Sequence, residues 1–269
     1  MRKLFSLLIC CLIVFSFSCK QEATVDEVVN MVAKASGGAD TLDAITDQVS
    51  TWDFTMHMMP AGVMEGEKEM AAEQHEMPEG AGMSMPMIIT AKKPNKLRMD
   101  FQEPDGKTSM SSCYDGTTGW SNEWGKQREL SESELQEWDS MAANWIDGFL
   151  HYQDKGFTLE LLPNEEVEGQ NYIVLQSTDK HNNVMKFYIN PTTYYIEREV
   201  GEMLNFEGKK EPMYMTMKDY KMVDGIAMAH HVAQYNEEGK MIWEATMKDC
   251  KNNTGVEDAV FMPEAMTAK

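Results

Sequence analysis

Between His57 and Met85 the chain concentrates imidazole and thioether groups: His57, Met58, Met59, Met64, Met70, His75, Met77, Met83 and Met85. These are soft or borderline donors suited to Cu(I). A set drawn from His57, Met58, Met59, His75 and Met77 is therefore the alternative that a metal-binding protein would use. The spacing is loose, with no His-x-x-x-His pair and no Cys-x-x-Cys. Twenty-five methionines are spread along the 269 residues, so a Met-rich loop without metal accounts for the same residues, and no metal is the primary expectation. His230 and His231 are adjacent on an expected strand, where neighbouring side chains point to opposite faces. His151 and His181 read as surface residues.

Covalent and acid–base chemistry leaves no trace of its usual patterns. There is no Gly-x-Ser-x-Gly, no His-Glu-x-x-His and no Gly-rich phosphate loop. Carboxylates such as Glu65, Glu67 and Glu69 fit a solvated acidic face. The expectation is a protein that is not an enzyme, with no catalytic residue and no cofactor.

The remaining chemistry is apolar. Methionine is unbranched and polarisable, and suits surfaces that accept ligands of variable shape. Trp52, Phe54, Met56, Met87 and Met99 alternate on expected strands, and Leu135, Trp138, Trp145 and Phe149 recur at helical spacing. Together they could line a cavity between sheet and helix. Such a site needs no catalytic group, because affinity comes from burial at ~25 cal/mol per Å² of apolar area, less ordering costs. A packed core is the other reading of the same positions, and would make the protein a non-binding scaffold.

Several elements must position these residues. Thr24-Val25-Asp26-Glu27 is a capping box opening a helix with Val25, Val28, Val32 and Ala35 on one face, and Gly37-Gly38 ends it. Asp40 caps a second short helix. Trp52 to Met58 alternate as a strand. From about 60 to 85 the sequence is rich in Gly, Glu, Ala and Met without period, which argues for a mobile insertion or a long irregular hairpin. Met85, Met87 and Ile89, then Leu97, Met99 and Phe101, form a hairpin around Lys92-Lys93-Pro94-Asn95. Strands follow at 109–114 and 118–122. Ser131-Glu132-Ser133-Glu134 caps a helix with a wide apolar face running on to Phe149. Seven further strands are expected near 157–162, 171–177, 184–190, 193–200, 213–220, 226–235 and 240–248. About a dozen strands with two main helices make a mainly β (α+β) domain built on a strongly curved antiparallel sheet.

The N-terminus reads as an export signal. Arg2 and Lys3 precede an uncharged run from Leu4 to Phe17, too short for the ~20 residues of a membrane span. Ser16-Phe17-Ser18-Cys19 resembles a lipoprotein processing box. That resemblance implies removal of residues 1–18, a lipidated Cys19, a tether at 19–23 and one domain over 24–269, and several acyl chains anchor stably. Secretion with an unmodified Cys19 is the alternative. The chain carries 24 basic and 44 acidic residues, net −20, and losing Arg2 and Lys3 brings it to about −22. So acidic a chain is a poor partner for nucleic acid. An oxidising envelope permits a Cys113–Cys250 disulfide if their Cα atoms lie within ~7 Å; two buried free thiols are the other possibility.

Four stretches carry a wider resemblance. Ala91-Lys92-Lys93-Pro94-Asn95-Lys96-Leu97-Arg98 and Tyr114-Asp115-Gly116-Thr117-Thr118-Gly119-Trp120, in that order and spacing, resemble turns of the outer-membrane lipoprotein-sorting carriers, LolA and LolB. The opening Ala35-Ser36-Gly37-Gly38-Ala39-Asp40-Thr41-Leu42 and the closing Val256-Glu257-Asp258-Ala259-Val260-Phe261-Met262-Pro263 look like the ends of the same group. The resemblance implies an open, incomplete β-barrel, covered by helices, with an apolar concave side. It also implies an envelope location, most naturally the outer membrane, and lipid or lipoprotein acyl chains as partners, carried or received during lipoprotein sorting. Two features depart from it. Soluble carriers control lid closure with an arginine on the first long strand, and none lies between Ser50 and Met59. The hairpin at Glu103-Pro104-Asp105-Gly106 is polar where the membrane-bound acceptor exposes an apolar loop.

Overall fold

The computed structural model describes residues 23–58, 83–123, 125–205 and 208–263. The expected export signal, Cys19 and most of the expected insertion, including Met59, His75 and Met77, lie outside the described residues.

The chain folds as two antiparallel meanders. The first comprises β1 (Asp47–Met56), β2 (Met83–Lys92), β3 (Lys96–Gln102), β4 (Thr108–Tyr114), β5 (Gly119–Glu123) and β6 (Lys126–Glu129). The second comprises β7 (Thr158–Val167), β8 (Gln170–Thr178), β9 (Val184–Ile189), β10 (Ile196–Leu204), β11 (Lys210–Val223), β12 (Ile226–Asn236) and β13 (Met241–Asn252). They join where β1 pairs with β13, giving one 13-stranded sheet in the order β6-β5-β4-β3-β2-β1-β13-β12-β11-β10-β9-β8-β7. The sheet is curved and unclosed, an open barrel.

Its two edges are consecutive in sequence. Between β6 and β7 runs α3 (Glu132–Asn144), followed by turns to residue 156. Both edges are protected against further pairing. β6 is Lys-Gln-Arg-Glu, exposed throughout, and β7 has a register irregularity between Leu162 and Glu165 that contains Pro163.

The capping boxes form as expected. At α1 (Val25–Ala35) the Glu27 amide donates to Thr24 Oγ1 and the Thr24 amide to Glu27 Oε2; Ser131 and Glu134 reciprocate at α3. Beyond α1, Gly37 takes φ +122°, and a Cβ there would lie 2.3 Å from the Gly225 carbonyl oxygen. The corner between α1 and α2 (Ala39–Asp43) therefore seats on the β11–β12 turn, where the Ala227 amide donates to Ser36 O. The apolar face expected to run through Phe149 stops earlier: the helix ends at Asn144, with Trp145 as its C-cap.

The C-terminal segment clasps the outer face. Phe261, from the 3-10 turn Asp258–Phe261, is 1% exposed and packs on Cys113 and Trp120. Its carbonyl accepts from Cys113 Sγ and Trp120 Nε1. Asp47, buried at the start of β1, accepts from the Thr254 amide and hydroxyl, both at 2.7 Å. Cys113 and Cys250 are free thiols in separate clusters, and burial pushes each up to about 12.

Candidate functional site

The concave face is the inner side of β1 and its neighbours. Along β1, Gln48, Ser50, Trp52, Phe54 and Met56 are buried in alternation, and pairing aligns Phe54 with Met85 and Ala245, and Trp52 with Met87 and Met247. Trp52, Phe54, Met56 and Met87 form one apolar cluster, with Met99, Leu135, Trp138 and Trp145 packed against it. Trp52 Nε1 donates to Ser50 Oγ at 2.8 Å, so the indole meets its polar need within its own strand. Phe54 lies between Phe101 at 5.1 Å and Trp243 at 5.6 Å.

Phe149 is the exception among the expected cavity residues. It lies past the helix end in a second cluster beneath α1, with Val28, Val29 and Leu175, and meets Phe187 edge-on at 4.7 Å. The first cluster recruits Trp243 and Met247 instead. Their signal was in the sequence, since Trp243, Ala245 and Met247 alternate against Glu244 and Thr246.

A third apolar group occupies the far end of the concave side. Met203, Met213 and Ile242 are buried there, with Met58, Met185 and Met215 against them. Glu199 shares this face, level with Phe187 on β9 and Met215 on β11. Among the described residues it has no hydrogen-bond partner, and burial pushes its carboxyl up to about 7. Sequence reading missed Glu199, because a carboxylate in an alternating strand looks like a solvated one.

A polar latch holds α3 across the barrel mouth. Asp139 is 4% exposed. Its Oδ1 accepts from Tyr114 at 3.0 Å and Asn95 Nδ2 at 3.3 Å, while Oδ2 lies 2.8 Å from His181 Nε2 and 2.6 Å from Lys180 Nζ. Burial alone would raise its carboxyl, but the bonds from Lys180, His181 and Tyr114 outweigh it and hold it below the usual range. Next to it Asp179 takes Ser140 of α3 and both nitrogens of Asn183. Asp147 takes Lys155 and, at 3.0 Å, Lys93. His181 is thus a partly buried latch residue, not the surface residue expected. The helix that reads as apolar carries a buried carboxylate because its partners arrive from turns distant in sequence.

The metal-binding alternative divides between the two faces. His57 Nε2 lies 3.0 Å from Glu244 Oε1, and His231 Nε2 lies 2.9 Å from Oε2 of the same carboxylate, while Met58 packs into the methionine group. Among the described residues no group of three or more His, Cys, Asp or Glu side chains is arranged to hold a metal ion.

No protein-family model and no curated protein matches the chain. Solved structures do. A LolA superfamily protein from Nitrosomonas europaea superposes with a TM-score of 0.58 at 12% identity, over 90% of this chain and 99% of that one. A DUF1329 family protein from Desulfovibrio piger gives 0.57 at 13%, over 90% and 98%. A domain from Vibrio parahaemolyticus named for outer membrane lipoprotein sorting gives 0.54 at 16%, over 87% and 94%. The fold is LolA/LolB-like.

Proposed function

We propose that this chain is a non-enzymatic, lipid-anchored protein of the bacterial envelope that holds acyl chains of lipids or lipoproteins against its concave face, as a carrier or acceptor. The supporting observation is that Trp52, Phe54, Met56 and Met87 of the sheet meet Leu135, Trp138 and Trp145 of the α3 segment in one apolar cluster. That segment bridges two open sheet edges. A helix held by polar side chains at its rim, over a sheet it does not pair with, can lift without breaking a strand ladder. The methionine side chains beneath it can then repack around a guest of variable length. The carboxyl of Glu199, raised by burial, marks the low polarity of the same face.

Residues 1–18 as an export signal and Cys19 as the lipidated terminus complete the reading, and an outer-membrane site follows from the sorting role. Among the described residues no helix is long and apolar enough to cross a membrane; in this reading the anchor is the lipidated Cys19. The test is native mass spectrometry with lipid extraction on protein purified from the envelope. The expected result is co-purifying acyl lipid, lost when Trp138→Glu places a charge on the inner side of α3 in a variant whose circular dichroism is unchanged. A clean apo mass that also fails to take up a fluorescent fatty-acyl probe would refute acyl-chain binding.

A further inference from the structure

The outer face of the second meander carries a groove of about 590 Å³. Its floor is β10 and β11, and the β7–β8 turn at Glu168 rises on one side with Tyr235 of β12 on the other. Tyr214 and Thr216 alternate with Met213 and Met215 along β11, and those methionines belong to the concave cluster. The groove is therefore separate from the proposed acyl site and does not rest on it.

Two aromatic stacks stand in it. Tyr214 and Tyr235 are parallel to within 10° at 4.8 Å, and the Arg198 guanidinium lies 3.7 Å over the Tyr214 ring. Both neighbours are too close to share one face, so Tyr214 is sandwiched and Tyr235 is the outer ring. Tyr195 and Tyr220 form the second stack at 4.2 Å. Tyr172 donates to Glu197 at the rim. Thr216 Oγ1, in the floor, is buried without a hydrogen-bond partner among the described residues.

The lining selects its ligand class by elimination. An acyl chain would strand Arg198, Glu197 and Asp219 without water. A polyphosphate or nucleic acid would meet three carboxylates, Glu168, Glu197 and Asp219, against only two cations, Arg198 and Lys218. An extended peptide binding by main-chain pairing needs a free sheet edge, and β10 and β11 each have a partner on both sides. A neutral pyranose satisfies every wall. Its C–H faces lie on phenol rings, which offer rigid amphipathic area at low entropic cost. Its hydroxyls donate to carboxylates and accept from guanidinium and ammonium groups. We infer that this groove binds a neutral oligosaccharide, with Tyr235 and Tyr195 as stacking platforms and Arg198 and Glu197 as hydrogen-bonding groups.

The experiment is calorimetry and saturation-transfer NMR on the full-length protein in a sugar-free detergent, with cello-, malto-, laminari-, manno- and chitohexaose as probes. The expected result is saturable binding of at least one of them, weakened about tenfold by Tyr235→Ala, the loss of one stacking ring with its buried area. Arg198→Gln weakens it as well and serves as the second variant should Tyr235→Ala not fold. Failure of all five probes to bind overturns the inference, as does binding that neither substitution weakens in a folded variant.

Discussion

Asp139 of α3 and His181 of the β8–β9 turn meet at 2.8 Å, while the other oxygen of the same carboxylate takes the Tyr114 hydroxyl of β4. One side chain thus ties the bridging helix to both meanders. The chain has no arginine on β1, and this buried carboxylate holds the mouth in a different way. Asp139→Ala should cost about 2–3 kcal/mol in urea unfolding, because Tyr114 and His181 lose their buried acceptor. Hydrogen exchange of α3 should accelerate more than that of β1. Unchanged α3 protection in the variant would mean that Asp139 does not latch the helix.

Two kinds of carboxyl give stability opposite slopes in pH. Asp139 and Asp179 titrate below the usual range in the folded chain, because burial is outweighed by their hydrogen bonds. The stability they contribute is present above the unfolded value near 4 and is lost as pH falls through their depressed folded values. Glu199 runs the other way. Its folded value of about 7 lies above the ordinary glutamate value of 4.5, so its penalty builds up as pH rises between those two values and is constant above. Glu199→Gln should raise stability at pH 8 by roughly 1–2 kcal/mol, allowing for its partial exposure, and change nothing at pH 4. Urea titrations of both proteins across that range check the sign, and an equal gain at both pH values would show that Glu199 is not ionising from a buried site.

Phe261→Ala should uncover Cys113. The thiol is 0% exposed beneath that ring, and burial pushes it up to about 12. Native protein should resist iodoacetamide at Cys113, whereas the variant should be alkylated at least about tenfold faster, since reactivity follows access and thiolate fraction. Peptide mass spectrometry reads the site directly. Equal labelling rates would mean that the C-terminal clasp does not close over β4.

Local chemistry was legible, and partners distant in sequence were not. Thr24 with Glu27, and Ser131 with Glu134, announce their helices because a capping box lies within four residues. The alternation of Trp52, Phe54 and Met56 announces the inner face of β1. Strand ends moved where pairing outran the apolar pattern: β7 continues to Val167 because Glu165, Glu166 and Val167 still pair with β8. β6 was missed altogether, since Lys126 to Glu129 carries no apolar residue. Asp139 reads as one more solvated acid until Asn95, Tyr114 and His181 converge on it. Phe149 keeps helical spacing from Trp145 but lies beyond the point where the helix ends, and so joins a different cluster. The tyrosines of the outer groove come from three strands and a turn, and no local period connects them.

The pairing of β1 with β13 also dictates when the molecule can be finished. Gln48 aligns with Asn252, so the central ladder joins almost the first strand residue to the last. Neighbours in each meander can pair as soon as they emerge, but this seam waits for the whole polypeptide and carries the loop-closure entropy of the longest possible separation. Until the last strand arrives, β1 has one bare edge, which would have to be kept from stray pairing while the chain folds. Each half can close its own ladders without the other, and only the β1–β13 pairing makes them one surface.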